Sequence, residues 1–314
     1  MATSPNVAVV MGSKYDVKTM KKEKKTVSRE IGLEIAAICG KQFLKLEHLH
    51  YGYWTKDLEV DLPNLCKAQE NYANFLISHI PEDVETILDV GCGMGQIAKK
   101  LLDMGYHVDC VSPSPFLTKH ARDLLGNGSK VFECYYERLQ TKDQYDLILF
   151  SESFQYINPE EAIEKTLSLL NYDGCLLICD VFRTAAKGKC PISGGHSLTS
   201  FYRSISEYPF ELIKDLDITE ETAPNIDIEN HIFKEVVHPV MNLLEQLMGN
   251  RYPFISKFLK WKYKKKIDKH YTKYLSGQRT GENFKKFKTY RLLLFKRNTL
   301  DSRTSERLHS IANC

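Results

Sequence analysis

Long apolar runs are absent from this 314-residue sequence. None approaches the roughly 20 residues that a membrane-spanning helix requires. The patch Val7–Met11 is too short for the core of a signal peptide, and it precedes the basic cluster Lys21, Lys22, Lys24 and Lys25 instead of following it. A cytoplasmic protein is expected, with peripheral membrane contact left open. Paired cysteine spacing is missing too. Nine cysteines are scattered without a C-x-x-C or a Cys/His cluster, so no metal site is expected and a reducing compartment fits. Cys314 is terminal, whereas prenylation needs three residues after its cysteine. The G-x-G-x-x-G turn that cradles a dinucleotide pyrophosphate is also absent.

What is present is an ordinary globular composition, 43% apolar and 26% charged, in a chain long enough for one large α/β domain or two modest ones. Charge is unevenly placed. From Arg251 to Arg297 there are 16 Lys/Arg against Asp268 and Glu282, while the net charge is only +3, so the remainder is acidic. A basic block beside an acidic body points to an anionic partner or surface. Residues 1–28 are polar and lysine-rich and are expected to be flexible. Apolar spacing predicts helices over Arg29–Lys45 and Leu62–Ile80, separated by the aromatic cluster His50-Tyr51-Gly52-Tyr53-Trp54.

From Thr86 the rhythm changes to short apolar runs alternating with helical stretches. Strands are predicted at Thr86–Val90, His107–Val111, Lys130–Cys134, Tyr145–Phe150, Cys175–Val181, Phe210–Leu216 and Thr289–Phe295. Helices between most of them imply parallel crossovers: an α/β, Rossmann-like, doubly wound sheet of seven strands. The core spans 29–221 and regains its last strand at 288–297. Between the last two strands lie about 70 residues, far beyond a usual loop. Apolar stripes at Ile232–Leu247 and Phe254–Tyr274 predict that 222–287 is an inserted helical cap, its stripes buried against the sheet edge or an acceptor. The tail 298–314 is polar and expected to be loose.

The chemistry is concentrated at Asp89-Val90-Gly91-Cys92-Gly93-Met94-Gly95, where a buried strand meets a glycine turn and then a helix. Glycines let a ligand approach the backbone closely. Asp89 suits an ammonium group and would repel a phosphate. This segment resembles motif I of the class I S-adenosylmethionine-dependent methyltransferases, and the likeness runs from His48 to Arg297. The nearest likeness is to the branch of tocopherol-type and other small-molecule methyltransferases, with cyclopropane fatty acid synthases as cousins. The resemblance implies S-adenosyl-L-methionine as cofactor, held at Asp89, Gly91, Cys92, Gly93 and Gly95. It further implies contacts from Ser112 and Pro113 after strand two, where many relatives carry an acid for the ribose. Tyr136 and Glu137 after strand three would flank the adenine, and Ser151 would adjoin the site after strand four. Tyr53 and Trp54 match an aromatic segment that closes over the cofactor, or they staple the N-terminal helices together.

Where cyclopropane synthases hold bicarbonate with a Glu-His pair, this sequence has Gln155-Tyr156, so plain methyl transfer is expected instead of cyclopropanation. Methyl transfer from a sulfonium relies on proximity and alignment. A general base is needed only for a hydroxyl or protonated-amine acceptor; His196, Glu152 and His50 are the candidates. Tyr53, Phe154 and Tyr156 either line the acceptor pocket or simply pack. Asp180 is either a site residue or the ion-pair partner of Arg183. The acceptor is expected to be a small or lipid-like molecule. The basic segment Lys257–Lys288 is a solvated face, an anionic-membrane surface or a nucleic-acid surface. An RNA methyltransferase and a non-catalytic scaffold on the same fold are the alternatives.

Overall fold

The protein is described from a computed structural model, which covers residues 45–298 and scattered residues from 32 to 42; of 266, 267 and 269–273 it describes the helical backbone alone. The expected flexible start (1–28) and the tail from 299 lie outside the described residues. The chain divides into two units between Lys45 and Leu46. In the first, the described residues between 32 and 42 are helical.

In the second unit, apolar alternation with period two builds a sheet with two buried faces. Ile87, Leu147, Leu149, Leu177 and Leu292 belong to one apolar layer. Their neighbours Leu88, Ile148, Phe150, Leu176 and Leu293 belong to the other. The strands are β1 (Thr86–Val90), β2 (His107–Ser112), β3 (Val131–Glu133), β4 (Tyr145–Ser151), β5 (Leu170–Arg183), β6 (His196–Ser197), β7 (Phe210–Asp217) and β8 (Lys288–Arg297). They lie in the order β3-β2-β1-β4-β5-β8-β7. The seven predicted strands are all there, and the eighth is the two-residue β6, set parallel to β5 through Phe182↔His196. β8 returns antiparallel between β5 and β7.

Helices α1 (Leu65–Ile77), α2 (Gln96–Asp103) and α3 (Pro115–Leu125) cover the first layer; α4 (Pro159–Leu169) and α5 (Leu198–Ile205) cover the second. Local chemistry starts several of them. Before α4, the Asn158 side chain accepts hydrogen bonds from Glu160 N (2.9 Å) and Glu161 N, with Pro159 in the first turn. Before α3, Ser114 Oγ accepts from Leu117 N, again with a proline next. Both are favoured helix N-termini.

Between β7 and β8 the chain is helical: α6 (Thr219–Thr222), α7 (Pro224–Ile232), a π-helical turn at Phe233–Val237, α8 (His238–Arg251), α9 (Pro253–Leu275) and α10 (Gly281–Phe287). Among the described residues the expected burial of its two stripes is not found; what is buried is the base of the insert. Ile226, Ile228 and Phe284 are buried there. Beyond it, Ser256 is the only buried residue among those described from 238 to 275. The reason is geometric: α8 and α9 pack on each other and away from the sheet. Lys260 pairs with Glu245, and Phe233 stacks on Tyr274 at 4.1 Å.

Candidate active site

Strand β1 ends in a turn that only glycine fits. Gly91 has φ +80°, and a Cβ there would stand 2.4 Å from Ser153 Cβ. Gly93 has φ +57°, yet nothing lies within 4 Å of where its Cβ would be. Gly93 therefore borders open space, while Gly91 serves the packing of the loop after β4. Gly95 starts α2 and abuts Ala121 at 3.2 Å, so its smallness brings α2 against α3. Just before the turn, Asp89 is 2% exposed, and its Oδ2 is buried without a hydrogen-bond partner. Burial alone pushes its carboxyl up to about 7. A buried carboxylate oxygen left orphaned beside an open glycine cradle is the arrangement that a cationic ammonium completes.

Glu152 follows the end of β4, the strand paired directly with the β1 that carries Asp89. Its φ is +53°, a left-handed conformation that a non-glycine residue holds only under constraint. The constraint is visible. Glu152 N donates to Cys179 O at 3.0 Å, and Oε1 accepts from Tyr51 N at 2.8 Å and Tyr290 Oη at 2.7 Å. Tyr290 Oη also lies 3.1 Å from Tyr72 Oη, which in turn meets Ser151 Oγ at 3.1 Å. Burial lifts the Glu152 carboxyl to about 7 against the pull of these two donors. Beside it, buried Asp180 is lifted to about 8, first by burial, with the neighbouring Glu152 charge adding to it. Asp180 accepts from Gln155 N (3.0 Å) and Gln155 Nε2 (3.1 Å). It does not pair with Arg183, whose side chain points to solvent.

The other candidates separate into two groups. Ser112 is buried at the end of β2, where its Oγ accepts from Ser114 N; Pro113 beside it is exposed. Cys92 is buried in the turn. His196 hydrogen-bonds Phe154 O through Nε2 at 3.2 Å, which ties it to the loop that carries Glu152. His50 donates from Nδ1 to Tyr51 O at 2.8 Å, leaving Nε2 buried and unpartnered. Burial drives its pKa down to about 3, so it is neutral at ordinary pH and a poor proton acceptor.

Of the two readings open for Tyr53 and Trp54, stapling fits their packing, and the expected adenine contact of Tyr136 is corrected. Trp54 does not face the crevice: it is 4% exposed in a satellite cluster with Leu65, Ala68 and Ile228, and its Nε1 donates to Asn225 Oδ1. Tyr53 stacks on Phe75 of α1 at 4.9 Å. This stapling brings the loop onto α1 and the base of the insert, and Tyr51 is the cluster's residue that reaches Glu152. Tyr136 is a core residue, packed edge-on against Phe150 at 5.2 Å with its hydroxyl on Thr166; Glu137 alone of that pair is half-exposed. Tyr156 is exposed to solvent. Sequence reasoning missed Tyr72, Tyr290 and Asn225. Tyr72 and Tyr290 sit in apolar periodic stretches that read as core, and no local spacing marks them.

Residues 87–174 match the family model described as a methyltransferase domain. Malonyl-[acyl-carrier protein] O-methyltransferase of Acetivibrio thermocellus is 28% identical over 139 residues, covering 42% of this chain and 48% of that protein. Ubiquinone biosynthesis O-methyltransferase of Rickettsia felis is 26% identical over 48% of this chain and 64% of its own length. The chain thus spans about half the length of the first of these relatives. In solved structures the fold recurs in the [4+2]-cyclase SpnF (TM-score 0.62, 15% identity, 86% of this chain and 96% of that one). It recurs also in geranyl diphosphate C-methyltransferase of Streptomyces coelicolor A3(2), solved with Mg2+, geranyl diphosphate and S-adenosyl-L-homocysteine (TM-score 0.57, 16% identity, 82% and 92%). Residues 87–174, which hold the glycine turn and strands β1 (from Ile87) to β4, thus match a methyltransferase domain, and the strand order around them is the one these solved structures share.

Proposed function

We propose that this chain is an enzyme that transfers a methyl group from S-adenosyl-L-methionine to a small or lipid-like acceptor. The observation that carries the reading is the orphaned, buried Asp89 oxygen beside the open face of Gly93. When bound, the cofactor supplies a methyl group already activated on a sulfonium. Asp89 holds the ammonium of its methionine part, and the backbone at Gly91, Cys92 and Gly93 lets that part approach. Ser112 offers a neutral hydroxyl to the ribose, a weaker hold than a carboxylate gives, and Glu137 flanks the adenine.

Alignment for in-line displacement is the main contribution, worth roughly 7–11 kcal/mol in well-oriented systems. For a hydroxyl or protonated-amine acceptor, Glu152 takes the proton, because a carboxyl near 7 is matched to neutral pH. His196 positions the loop that carries it. The relatives named for malonyl-[acyl-carrier protein] and ubiquinone biosynthesis, and the structure holding geranyl diphosphate, support a small or lipid-linked acceptor.

Calorimetry with S-adenosylhomocysteine tests the cofactor site. The expected result is binding by the unaltered protein and none by Gly93→Val, whose side chain would project into the cradle. Equal affinity in a folded Gly93→Val variant would falsify the assignment.

A further inference from the structure

The distal part of the insert is a two-helix hairpin. Glu245 meets Lys260, Gly249 lies beside Ser256, and Phe233 stacks on Tyr274, so α8 and α9 run antiparallel with the bend at Tyr252. At 1.5 Å per residue, α8 extends about 20 Å from the base. An isolated helical arm ordinarily hides its apolar side chains, yet this one presents them. Phe254 is 86% exposed, Trp261 76% and Leu247 65%, with Leu244, Ile255 and Phe258 more than half exposed. So many exposed apolar side chains on one arm, with Phe258 and Trp261 side by side at 6.0 Å, mark an interaction surface.

The same arm is strongly cationic. From Arg251 to Lys265 there are six basic residues and no acidic one. Lys262 lies over the Phe258 and Tyr263 rings at 5.7 and 5.6 Å, so charge and aromatic surface are interleaved instead of occupying separate faces.

We propose that this hairpin docks on an anionic lipid bilayer, lying on its surface with Phe254, Trp261 and Leu247 in the acyl-headgroup boundary and the lysines against the headgroups. Aromatic and aliphatic side chains can enter the headgroup boundary while the long, flexible lysines interleaved with them reach up to the anionic headgroups. No helix among the described residues is long and apolar enough to cross a membrane, which leaves surface attachment as the way such an arm meets a bilayer. A second copy of the chain fits poorly: a two-fold contact through this patch would set six positive charges against six. Nucleic acid would use the lysines and rings, but the aliphatic Leu244, Leu247 and Ile255 gain nothing from phosphates or stacked bases. The surface stands whether or not the methyl acceptor is itself a lipid.

Flotation of the full chain with vesicles of phosphatidylcholine alone, and of phosphatidylcholine with phosphatidylglycerol, tests it. Binding is expected only to the anionic vesicles and should weaken with salt. Lys264→Gln with Lys265→Gln should lower partitioning about tenfold or more, as should Phe254→Ser with Trp261→Ser, which removes exposed side chains and leaves S-adenosylhomocysteine binding intact. Brominated lipid should quench Trp261, since Trp54 is buried in the unit's interior. Absence of flotation at low salt, or flotation indifferent to both double variants, overturns the proposal. So does RNA binding without vesicle binding, or a dimer that Phe254→Ser dissociates.

Discussion

At the scale of single residues, one buried carboxyl, Asp89, has an oxygen that lacks the partner its burial demands. Asp89 is raised to about 7 by burial with nothing to offset it, and perturbed groups of this kind cluster where ligands bind. An ammonium placed on its free oxygen stabilises the ionised form and lowers that value. Binding of S-adenosylhomocysteine near pH 6.5 should therefore release a proton, and affinity should rise with pH until it levels off above about 7. Calorimetry in buffers of different ionisation enthalpy measures the release directly; binding that exchanges no proton at pH 6.5 would refute the role given to Asp89. Glu152 makes a separate prediction. Glu152→Gln keeps an oxygen to accept from Tyr51 N and Tyr290 Oη but cannot take a proton. For a hydroxyl acceptor, turnover should fall by about 100-fold or more, with cofactor affinity unchanged. Turnover that survives the substitution assigns the proton to another group.

At the scale of elements, one buried amide joins the aromatic loop to the insert. Asn225 of α7 accepts from Gly52 N (2.8 Å) and Trp54 Nε1 (3.2 Å) and donates to Gly52 O and Thr222 O (both 2.7 Å). Gly52 is required at this crossing because a Cβ would lie 2.5 Å from Ala68 Cβ. Asn225→Ala leaves buried donors unpaired at about 1–3 kcal/mol each, so a loss of about 2–4 kcal/mol is expected in denaturant unfolding. Because Tyr51 N reaches Glu152 from the same loop, turnover should fall as well. A neutral Asn225→Ala would show that this clasp is ornamental.

This clasp also shows what the sequence conceals. Period-two alternation and the Asn158-Pro159 and Ser114-Pro115 helix starts are local, so the core sheet was legible, as was the glycine turn with Asp89. Glu152 was visible as a residue type, but its constraint was not, since its partners lie 101 and 138 residues away. Trp54 and Tyr136 misled because an aromatic ring in a loop packs as readily as it binds. The apolar stripes of α8 and α9 showed helices correctly, but periodicity says only that a face exists, not what covers it.

At the scale of the molecule, fold and activity are distinct questions. A [4+2]-cyclase shares this architecture, so the chemistry has to be read from the crevice. That crevice places three lifted carboxyls, Asp89, Glu152 and Asp180, at the ends of three adjacent strands. Each binds its proton more tightly folded than unfolded. Each therefore contributes stability that is present below about pH 4 and lost as pH rises through about 7–8. Other carboxyls act oppositely. Glu70 is held low by Lys100, and Asp146, despite burial, by Asn171 and Thr86; their contributions are present at neutral pH and lost on acidification. The ligand-free protein should then be most stable at mildly acidic pH, near about 5–6, and its thermal midpoint should fall towards pH 8. Asp89→Asn removes one of the three opposing charges. It should raise the midpoint at pH 8, change it little at pH 5, and abolish S-adenosylhomocysteine binding, the trade expected where a site is strained for function. Thermal melts of both proteins across pH 5–8 decide the matter: if Asp89→Asn is as destabilised at pH 8 as at pH 5, the buried carboxylate is satisfied within the fold and is not waiting for a cation.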